Sequence, residues 1–169
     1  MGLARFSAAW REEYVTAVTS QKFDDADDVS CVFCVLAREA VGESSGVLWC
    51  TPSVFVTLNA FPYGSGHLLV LPTRHVATLE ELRDDEYYEL CAALRASVRS
   101  LTRAYDPDGM NVGFNIGAAA GAGIPGHLHA HALPRWNGDT NFMTAIAETR
   151  VLPESLTSTW RKVHDAWDS

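Results

Sequence analysis

Three histidines alternate with small apolar residues within residues 127–131, which read His-Leu-His-Ala-His. If this stretch is a β-strand, its side chains alternate between faces, so His127, His129 and His131 share one face at spacings of about 7 Å. The residues between them then point into apolar packing. A buried imidazole needs partners for two ring nitrogens and can exchange a proton near neutral pH. The row therefore indicates chemistry rather than packing.

Two kinds of chemistry suit such a row of imidazoles. Alternating histidines on a strand can supply two ligands to one metal ion. Alternatively, one imidazole can act as a nucleophile while its neighbours orient it. A solvated strand that carries histidines by chance is the remaining interpretation. The concentration of half of the chain's six histidines in five residues argues against it.

A second group of reactive side chains begins at Cys31-Val32-Phe33-Cys34. Two thiols separated by two residues fit a tight metal-binding turn or a redox pair. The redox interpretation requires a following helix, and residues 37–46 have no clear helical pattern. His67 and His75 lie on either side of an apolar segment, and a lone histidine in such a place is more often structural than catalytic.

Residues 117–126 form a loop of small residues immediately before the histidine row. Only glycine and alanine occur in it up to Ile124. Small residues let a ligand approach the backbone, and successive amide groups can form an anion-binding nest. A flexible linker is the alternative. Because the loop leads directly into the histidines, we favour a phosphate cradle.

Hydrophobic patterns predict the strands that would position these groups. Residues 54–58 are β-branched and apolar and predict a strand, and residues 67–72 predict a second strand antiparallel to it after a turn-rich segment. Residues 110–116 predict a further strand. The histidine row continues through Leu133, and Pro134 is expected to end its regular pairing.

A long helix is predicted after Thr78, because Thr78 and Glu81 have the spacing of a capping box. Apolar residues at steps of three and four then give it one buried stripe, formed by Leu90, Leu94, Val98, Leu101 and Tyr105. Residues 5–20 predict an N-terminal helix from Phe6, Trp10, Tyr14 and Val18 at spacing four. An acidic linker, residues 23–28, follows it.

The composition is that of an ordinary globular chain, and 169 residues predict a single domain. The formal net charge of −8 argues against a nucleic-acid partner but not against a small phosphorylated ligand. There is no apolar run of about 18 residues, so no membrane association is expected. The chain also starts without the apolar core of a signal peptide. Four cysteines then predict thiols or metal ligands in a cytoplasmic protein.

Several segments together resemble the histidine triad (HIT) family. Residues 127–133 resemble its His-x-His-x-His motif followed by two apolar residues, and residues 62–72 resemble its second signature. The similarity continues through residues 111–117 and 134–143. The last segment resembles the bacterial branch related to diadenosine tetraphosphate phosphorylases and hydrolases. The match extends from residue 31 to about residue 155.

The resemblance implies an α+β, HIT-like fold in which a long helix packs on a five-stranded antiparallel sheet. It also implies a homodimer that acts on nucleoside phosphates or dinucleoside polyphosphates. The whole chain, residues 1–169, is then one HIT domain. We expect an N-terminal helical segment and acidic linker in residues 1–30, a catalytic core in 31–136, and a C-terminal extension ending in a helix in 137–169.

The resemblance also implies roles for individual residues. His129 would be the nucleophile that attacks the α-phosphorus, with His131 beside the phosphate and leaving group and His67 near the site. Backbone and side-chain groups around the ribose and phosphates would come from Asn59, Asn115, Gly121 and Gly123. Trp136 follows His131 by five residues and is predicted to line or approach the nucleotide pocket, where an indole can stack on a base. A tryptophan of the core or of the dimer interface is the alternative.

Two further features come from comparing this chain with that family. Relatives often carry Ser, Thr or Gln shortly before the triad, whereas residues 121–126 offer no such side chain, so the leaving-group proton donor is unassigned. Zinc-bearing relatives bind one ion through residues that match Cys31, Cys34, His75 and His127. Two thiolates and two imidazoles make a closed, tetrahedral structural zinc site.

The predicted function is a nucleotidyl hydrolase or transferase. It would cleave the α-phosphate linkage of nucleoside polyphosphates such as diadenosine tetraphosphate through a covalent nucleotidyl-histidine intermediate. Phosphorolytic transfer to inorganic phosphate is one alternative, and a non-catalytic nucleotide-binding or zinc-scaffolded interaction protein is another. The intact triad favours an enzyme, because binding alone does not require a nucleophile.

Overall fold

A computed structural model describes residues 31–139 and 154–167 of this chain. The predicted helix in residues 5–20, the acidic linker and the segment after residue 139 that carries part of the family resemblance lie outside these residues. Within the described part of the chain, no helix is long and apolar enough to cross a membrane.

The fold is a five-stranded antiparallel sheet with helices on both faces, which confirms the predicted α+β class. Its strands, in the spatial order β1-β2-β3-β5-β4, are β1 (Val47–Cys50), β2 (Val54–Leu58), β3 (Leu68–Pro72), β4 (Gly109–Phe114) and β5 (Ala130–Arg135). The helices are α1 (Val32–Leu36), the long α2 (Asp84–Tyr105) and α3 (Leu156–Asp165), with 3-10 turns at Leu79–Glu81 and Ala118–Ala120. Of the strands, β1 was not predicted from the sequence.

Alternation along the strands divides the apolar side chains between two layers. One face of β2, β3 and β5 packs against α2 and α3 and forms the main core, with Val56, Val70 and Ala132 at its centre. The opposite face, which we call the histidine face, packs Phe55, Leu69 and Leu71 against the α1 segment. His131 lies opposite Leu69 across the β3–β5 ladder, and directly opposite pairs share a face, so His131 belongs to this second layer.

The buried surface of α2 differs from its predicted apolar stripe. Leu90 and Leu101 are fully buried as expected, whereas Leu94, Val98 and Tyr105 are only partly buried. Ala93, Ser97 and Ser100 are buried instead. Small side chains here let neighbouring elements approach closely, and the Ser100 hydroxyl donates to the carbonyl of Val163 in α3 at 2.8 Å. A pattern of apolar residues alone misses these serines because their polar groups are satisfied by backbone carbonyls.

Two predicted boundaries were wrong. The capping box at Thr78 and Glu81 starts the 3-10 turn rather than the long helix. The helix begins at Asp84, where Glu86 accepts the N–H of Arg83 at 2.9 Å. Pro134 does not end pairing, because it lies inside β5 opposite Met110. It is tolerated there because the pairing of β5 with β3 ends at Ala132.

The histidine strand also begins later than predicted. The β5 ladder starts at Ala130, so His131 is on the strand, whereas His127 and His129 precede it. The N–H of Leu128 donates to the carbonyl of Val76, in the loop after β3, at 2.6 Å. This hydrogen bond fixes residues 127–129, the segment before β5, against that loop. Leu128 and Ala130 are buried, as the alternation predicted.

Candidate active site and metal centre

The positions of His67 and His131 follow from the pairing of β3 with β5. His67 immediately precedes β3, and His131 pairs with Leu69. The Nε2 atom of His67 lies 2.9 Å from Nδ1 of His131. On the other side of His131, β4 presents Gly113. A Cβ built at Gly113 would have no described residue within 4 Å, so within the described part of the chain this flank of His131 is open to a ligand.

Backbone hydrogen bonds fix which nitrogen of His67 carries the proton. Its Nδ1 accepts the N–H of Tyr63 at 3.0 Å and lies 3.3 Å from the Asn59 side-chain amide nitrogen. The Asn59 carbonyl oxygen in turn accepts the N–H of Phe61, so its amide group faces His67. An Nδ1 that accepts leaves the proton on Nε2. His67 therefore donates to His131.

This donation determines the tautomer of His131. Its Nδ1 accepts from His67, so its Nε2 carries the proton. That atom is buried and has no hydrogen-bond partner among the described residues. A buried N–H donor without a partner carries a substantial free-energy cost. An oxygen of a bound substrate would satisfy it.

The opposite tautomer is fixed at His129. Its Nδ1 lies 2.8 Å from the carbonyl oxygen of His127. Since a carbonyl only accepts, Nδ1 carries the proton and Nε2 keeps its lone pair. His129 is 4% exposed, and its ring lies 5.0 Å from that of His131, centroid to centroid. Burial lowers the pKa of His129 below its ordinary value, although its hydrogen bond to His127 opposes this. Its imidazole is therefore neutral near pH 7.

A second cluster brings together the four predicted metal ligands. One donor atom from each of Cys31, Cys34, His75 and His127 lies within 4.8 Å of all the others. Nδ1 of His127 is 3.5 Å from both cysteine sulfurs, and Nδ1 of His75 is 3.3 Å from that of Cys34. A tetrahedral ion with bonds of about 2.3 Å to sulfur and about 2.05 Å to nitrogen separates these atoms by about 3.6 Å. The donor set therefore fits such an ion.

The other nitrogen of His127 supports the same interpretation. Its Nε2 lies 2.9 Å from the carbonyl oxygen of Pro72 and must donate to it. Metal-bound histidines commonly donate their second N–H to a backbone carbonyl, which fixes the ring and frees the other nitrogen for the ion. His127 is fully buried.

Phe33, inside the Cys-x-x-Cys segment, links the two clusters. Its ring lies 5.5 Å from that of His127 and 5.2 Å from that of His129. At the other end of the site, the ring of Tyr63 stacks on the ring of His131, with 6.0 Å between the centroids. Sequence reasoning missed both residues. Phe33 could have been found from its position between the two cysteines, and Tyr63 from its position four residues before His67.

The predicted substrate-binding residues lie in different places. Asn59 contacts His67, as described above. Asn115 is half-buried just after β4, and the loop that follows contains the left-handed residues Gly117 and Gly121 on either side of the short 3-10 turn. Ile124 in the same loop packs against the α1 layer. The loop containing Gly121 and Gly123 thus connects the β4 end to the metal-binding layer.

The structure does not bring Trp136 to the histidines. It directly follows Arg135, the last residue of β5, and five steps along an extended chain place it about 16 Å from His131. Its ring packs edge-on against Tyr105 at the end of α2, with 6.0 Å between centroids.

Comparisons with known proteins give the class of this protein. A profile of the HIT domain matches residues 42–138, and the chain belongs to the HIT family. An uncharacterized HIT-like protein of Saccharolobus solfataricus is 32% identical over 114 residues, which are 67% of this chain and 79% of that protein. A solved Zn-bound histidine triad family protein from Mycobacterium smegmatis is 26% identical, with a TM-score of 0.66 over 83% of this chain and 94% of that one.

A relative with a named activity is an AP-4-A phosphorylase of Mycobacterium tuberculosis. It is 43% identical over 114 residues, which are 68% of this chain. The aligned part is 58% of that enzyme's length, so the match spans little more than half of the relative.

The environment of His131 predicts how stability depends on pH. Burial, with a smaller contribution from His129, lowers the pKa of His131 from 6.5 to about 4. The unfolded chain therefore binds this proton more tightly, so the stabilising contribution is complete above about pH 6.5 and is lost as the pH falls through about 4. We expect an NMR titration of the ring to show a midpoint well below 6.5, and His131→Asn to flatten the pH dependence of the free energy of unfolding. A ring midpoint at or above 6.5 would contradict the described burial.

Proposed function

We propose that this protein is a nucleotidyl hydrolase or transferase that cleaves nucleoside polyphosphates at the α-phosphate through a covalent intermediate on His129. The observation that carries the proposal is the pair of opposite tautomers on neighbouring rings. His129 presents a lone pair on Nε2, and His131 presents an N–H on Nε2. A nucleophile and a hydrogen-bond donor thus lie side by side next to the open flank at Gly113.

The proposed chemistry consists of two displacements at one phosphorus atom. In the first, Nε2 of His129 attacks the α-phosphorus, a P–N bond forms and the bond to the leaving phosphate oxygen breaks. In the second, an acceptor oxygen attacks the same phosphorus and returns the electron pair to Nε2. Dividing one transfer into two steps avoids a direct attack by a weak nucleophile. The N–H of Gly121 donates to the carbonyl of Ala118 at 3.0 Å, so the backbone amide of Gly123 is the group of this loop that we propose to stabilise charge on the phosphoryl oxygens.

His131 supplies a donor that the loop lacks. No hydroxyl or amide side chain occurs in residues 121–126, but Nε2–H of His131 is buried and directed by its bond from His67. We infer that it donates to the leaving oxygen or to a phosphoryl oxygen. His67 then acts by setting this tautomer. Asn59 holds His67 in turn, and Asn115 remains a proposed contact to the ribose or phosphates.

The acceptor in the second step distinguishes a hydrolase from a phosphorylase. Similarity to an enzyme named AP-4-A phosphorylase favours inorganic phosphate as the acceptor and a diadenosine polyphosphate as the substrate. Another matched relative is named bis(5'-nucleosyl)-tetraphosphatase, from Schizosaccharomyces pombe, and supports water instead. Retention of the fold as a nucleotide-binding or zinc-scaffolded protein without turnover is the second candidate. A base-stacking role for Trp136 and a cytoplasmic location stay predictions.

We also propose that Cys31, Cys34, His75 and His127 bind one zinc ion. Two buried thiols, the donor spacing and the Pro72 contact of His127 support this choice. The ion would join α1 to the approach of β5. The carbonyl of His127 would then remain in place to hold the Nδ1 proton of His129.

A homodimer is proposed through the outer edge of β4. Among the described residues, this strand pairs with β5 on one side and with no strand on the other. Val112 and the following Ile116 are 47% and 39% exposed there. An exposed strand edge with apolar side chains favours pairing with another strand, and a second copy supplies an identical one.

The central test of the function is the fate of substrate at His129. We expect His129→Ala to bind nucleotide but to lose several orders of magnitude in turnover, and His67→Ala to lose less. His164→Ala, on α3, is the matched control and should retain turnover. Rapid quenching with diadenosine tetraphosphate labelled at the α-phosphate should trap an acid-labile phosphoramidate at His129.

The same assay, run with and without inorganic phosphate, identifies the acceptor. Release of ADP only when phosphate is present indicates phosphorolysis, whereas AMP in its absence indicates hydrolysis. Near wild-type turnover by His129→Ala, or label on another residue, would exclude the proposed mechanism. Nucleotide binding with no turnover of any labelled nucleotide would instead support the non-catalytic candidate.

The zinc proposal predicts about one zinc per chain in protein purified without chelator. Cys34→Ser should lose the metal, because it removes a thiolate that lies close to both histidine nitrogens. Cys50→Ser and Cys91→Ser are matched controls, since both cysteines are exposed, and they should keep it. A metal-free protein that is fully folded would disprove the assignment.

The dimer proposal predicts twice the chain mass in light scattering at micromolar concentration. Val112→Asp should shift the mass toward the monomer, because a charge at the strand edge opposes pairing. Val41→Asp is the control, since Val41 is similarly exposed at 43% but lies in the turn region before β1. A wild-type monomer at these concentrations contradicts the proposal.

A further inference from the structure

One of the four candidate metal ligands comes from a connecting loop. Cys31 and Cys34 belong to the α1 segment, and His127 is fully buried at the approach to β5. His75 lies between β3 and the 3-10 turn and is the least buried of the four. Its position therefore depends on how the loop 73–77 is held.

Neighbours of His75 fix this loop from several directions. The N–H of Thr73 donates to the carbonyl of Ser53 at 2.8 Å, and the carbonyl of Val76 accepts from Leu128 at 2.6 Å. The N–H of Ala77 donates to the Glu81 carboxylate at 2.7 Å. These contacts hold the backbone on both sides of His75 but leave Arg74, the residue next to it, to a different partner.

Glu86 is the partner of Arg74 and is itself nearly inaccessible to solvent, with 2% of its side chain exposed. Arg74 donates to both carboxylate oxygens, from Nε at 3.0 Å and from Nη2 at 2.7 Å. Nη2 also donates to the carbonyl of Glu81 at 2.6 Å. The Arg83 guanidinium lies 2.9 Å from the same carboxylate, whose pKa falls to about 2, mainly because of the Arg74 hydrogen bond.

We propose that Arg74 and Glu86 are positioning residues that hold His75 in place as the fourth metal ligand. The proposal rests on the zinc site proposed above. A two-pronged contact between a guanidinium and a carboxylate fixes orientation as well as distance. It connects the first turn of α2, which packs on the main core, to the residue next to His75.

The physical reason is preorganisation. A ligand that must be ordered when the ion binds reduces affinity by the entropy lost, whereas a ligand already held does not. Only the carboxylate of this ion pair is buried, since 41% of the Arg74 side chain is exposed. Such a pair is a poor source of net stability, because the cost of removing the carboxylate from water offsets the attraction. We therefore assign the two-pronged contact a positioning role. It fixes the backbone of Arg74, the residue that precedes His75.

The test compares zinc affinity in variants of the full-length chain. Glu86→Gln removes the charge, and Arg74→Lys removes the fork while keeping the positive charge. Asp85→Asn, also in the first turn of α2 but 72% exposed, is the matched control. Zinc dissociation constants are measured by competition with a chromogenic chelator, and melting temperatures are measured for the metal-free and zinc-loaded forms.

We expect zinc to bind about tenfold or more weakly to both variants, as for other residues that orient metal ligands. The rise in melting temperature on adding zinc should shrink in both, since this rise follows the affinity. Excess zinc should restore the melting temperature of the loaded form toward the wild-type value. Asp85→Asn should behave as wild type in every measurement.

The outcomes separate the inference from the site on which it rests. If the wild-type chain binds no zinc, the metal centre itself is wrong. If the wild type binds zinc and both variants bind it equally well while melting at lower temperature, the ion pair is merely structural and the inference is overturned. Should Glu86→Gln fail to fold, Arg74→Lys decides alone, because Glu86 there keeps its contacts with Arg83.

Discussion

The environment of one buried residue, His127, connects the parts of this site. Its Nε2 donates to the carbonyl of Pro72 at the end of β3, and its Nδ1 faces the two thiols of the α1 segment. Its own carbonyl accepts the Nδ1 proton of His129. These contacts depend on one another. If the His127 ring turned toward a different acceptor, its Nδ1 would no longer face the thiols. The backbone carbonyl that fixes the tautomer of His129 would move as well.

A separate chain of contacts arrives from the opposite side of the site. Tyr63 and Asn59 direct the proton of His67 to Nε2, and His67 passes that preference to His131. The two chains meet where the rings of His129 and His131 lie 5.0 Å apart. Neither ring has to be protonated for its proposed role, and burial lowers the pKa of both below the ordinary value of histidine. The arrangement achieves two different chemical roles from identical side chains through hydrogen-bond direction alone.

Several features of this protein follow from the sequence by itself. The alternation of residues 127–131 determined that the histidines share a face and that Leu128 and Ala130 are buried opposite them. The short apolar runs on either side of a turn-rich segment defined β2 and β3, because such runs bounded by turn residues form buried strands. The family resemblance identified the cysteine pair, His75 and His127 as one metal cluster, because their separation along the chain does not reveal a set of four ligands.

Only the tertiary structure decided how these residues are oriented. The segment before β5 is held by the hydrogen bond from Leu128 to Val76, and α2 begins at Asp84, where Glu86 accepts the N–H of Arg83. The sequence predicted a helix start at the Thr78 capping box, because a local pattern does not show which of two adjacent turns continues into the long helix. The tautomers of His129 and His131, and the bridge formed by Phe33, depend on partners distant in sequence. Such contacts exist only once the sheet has brought β3, β5 and α1 together.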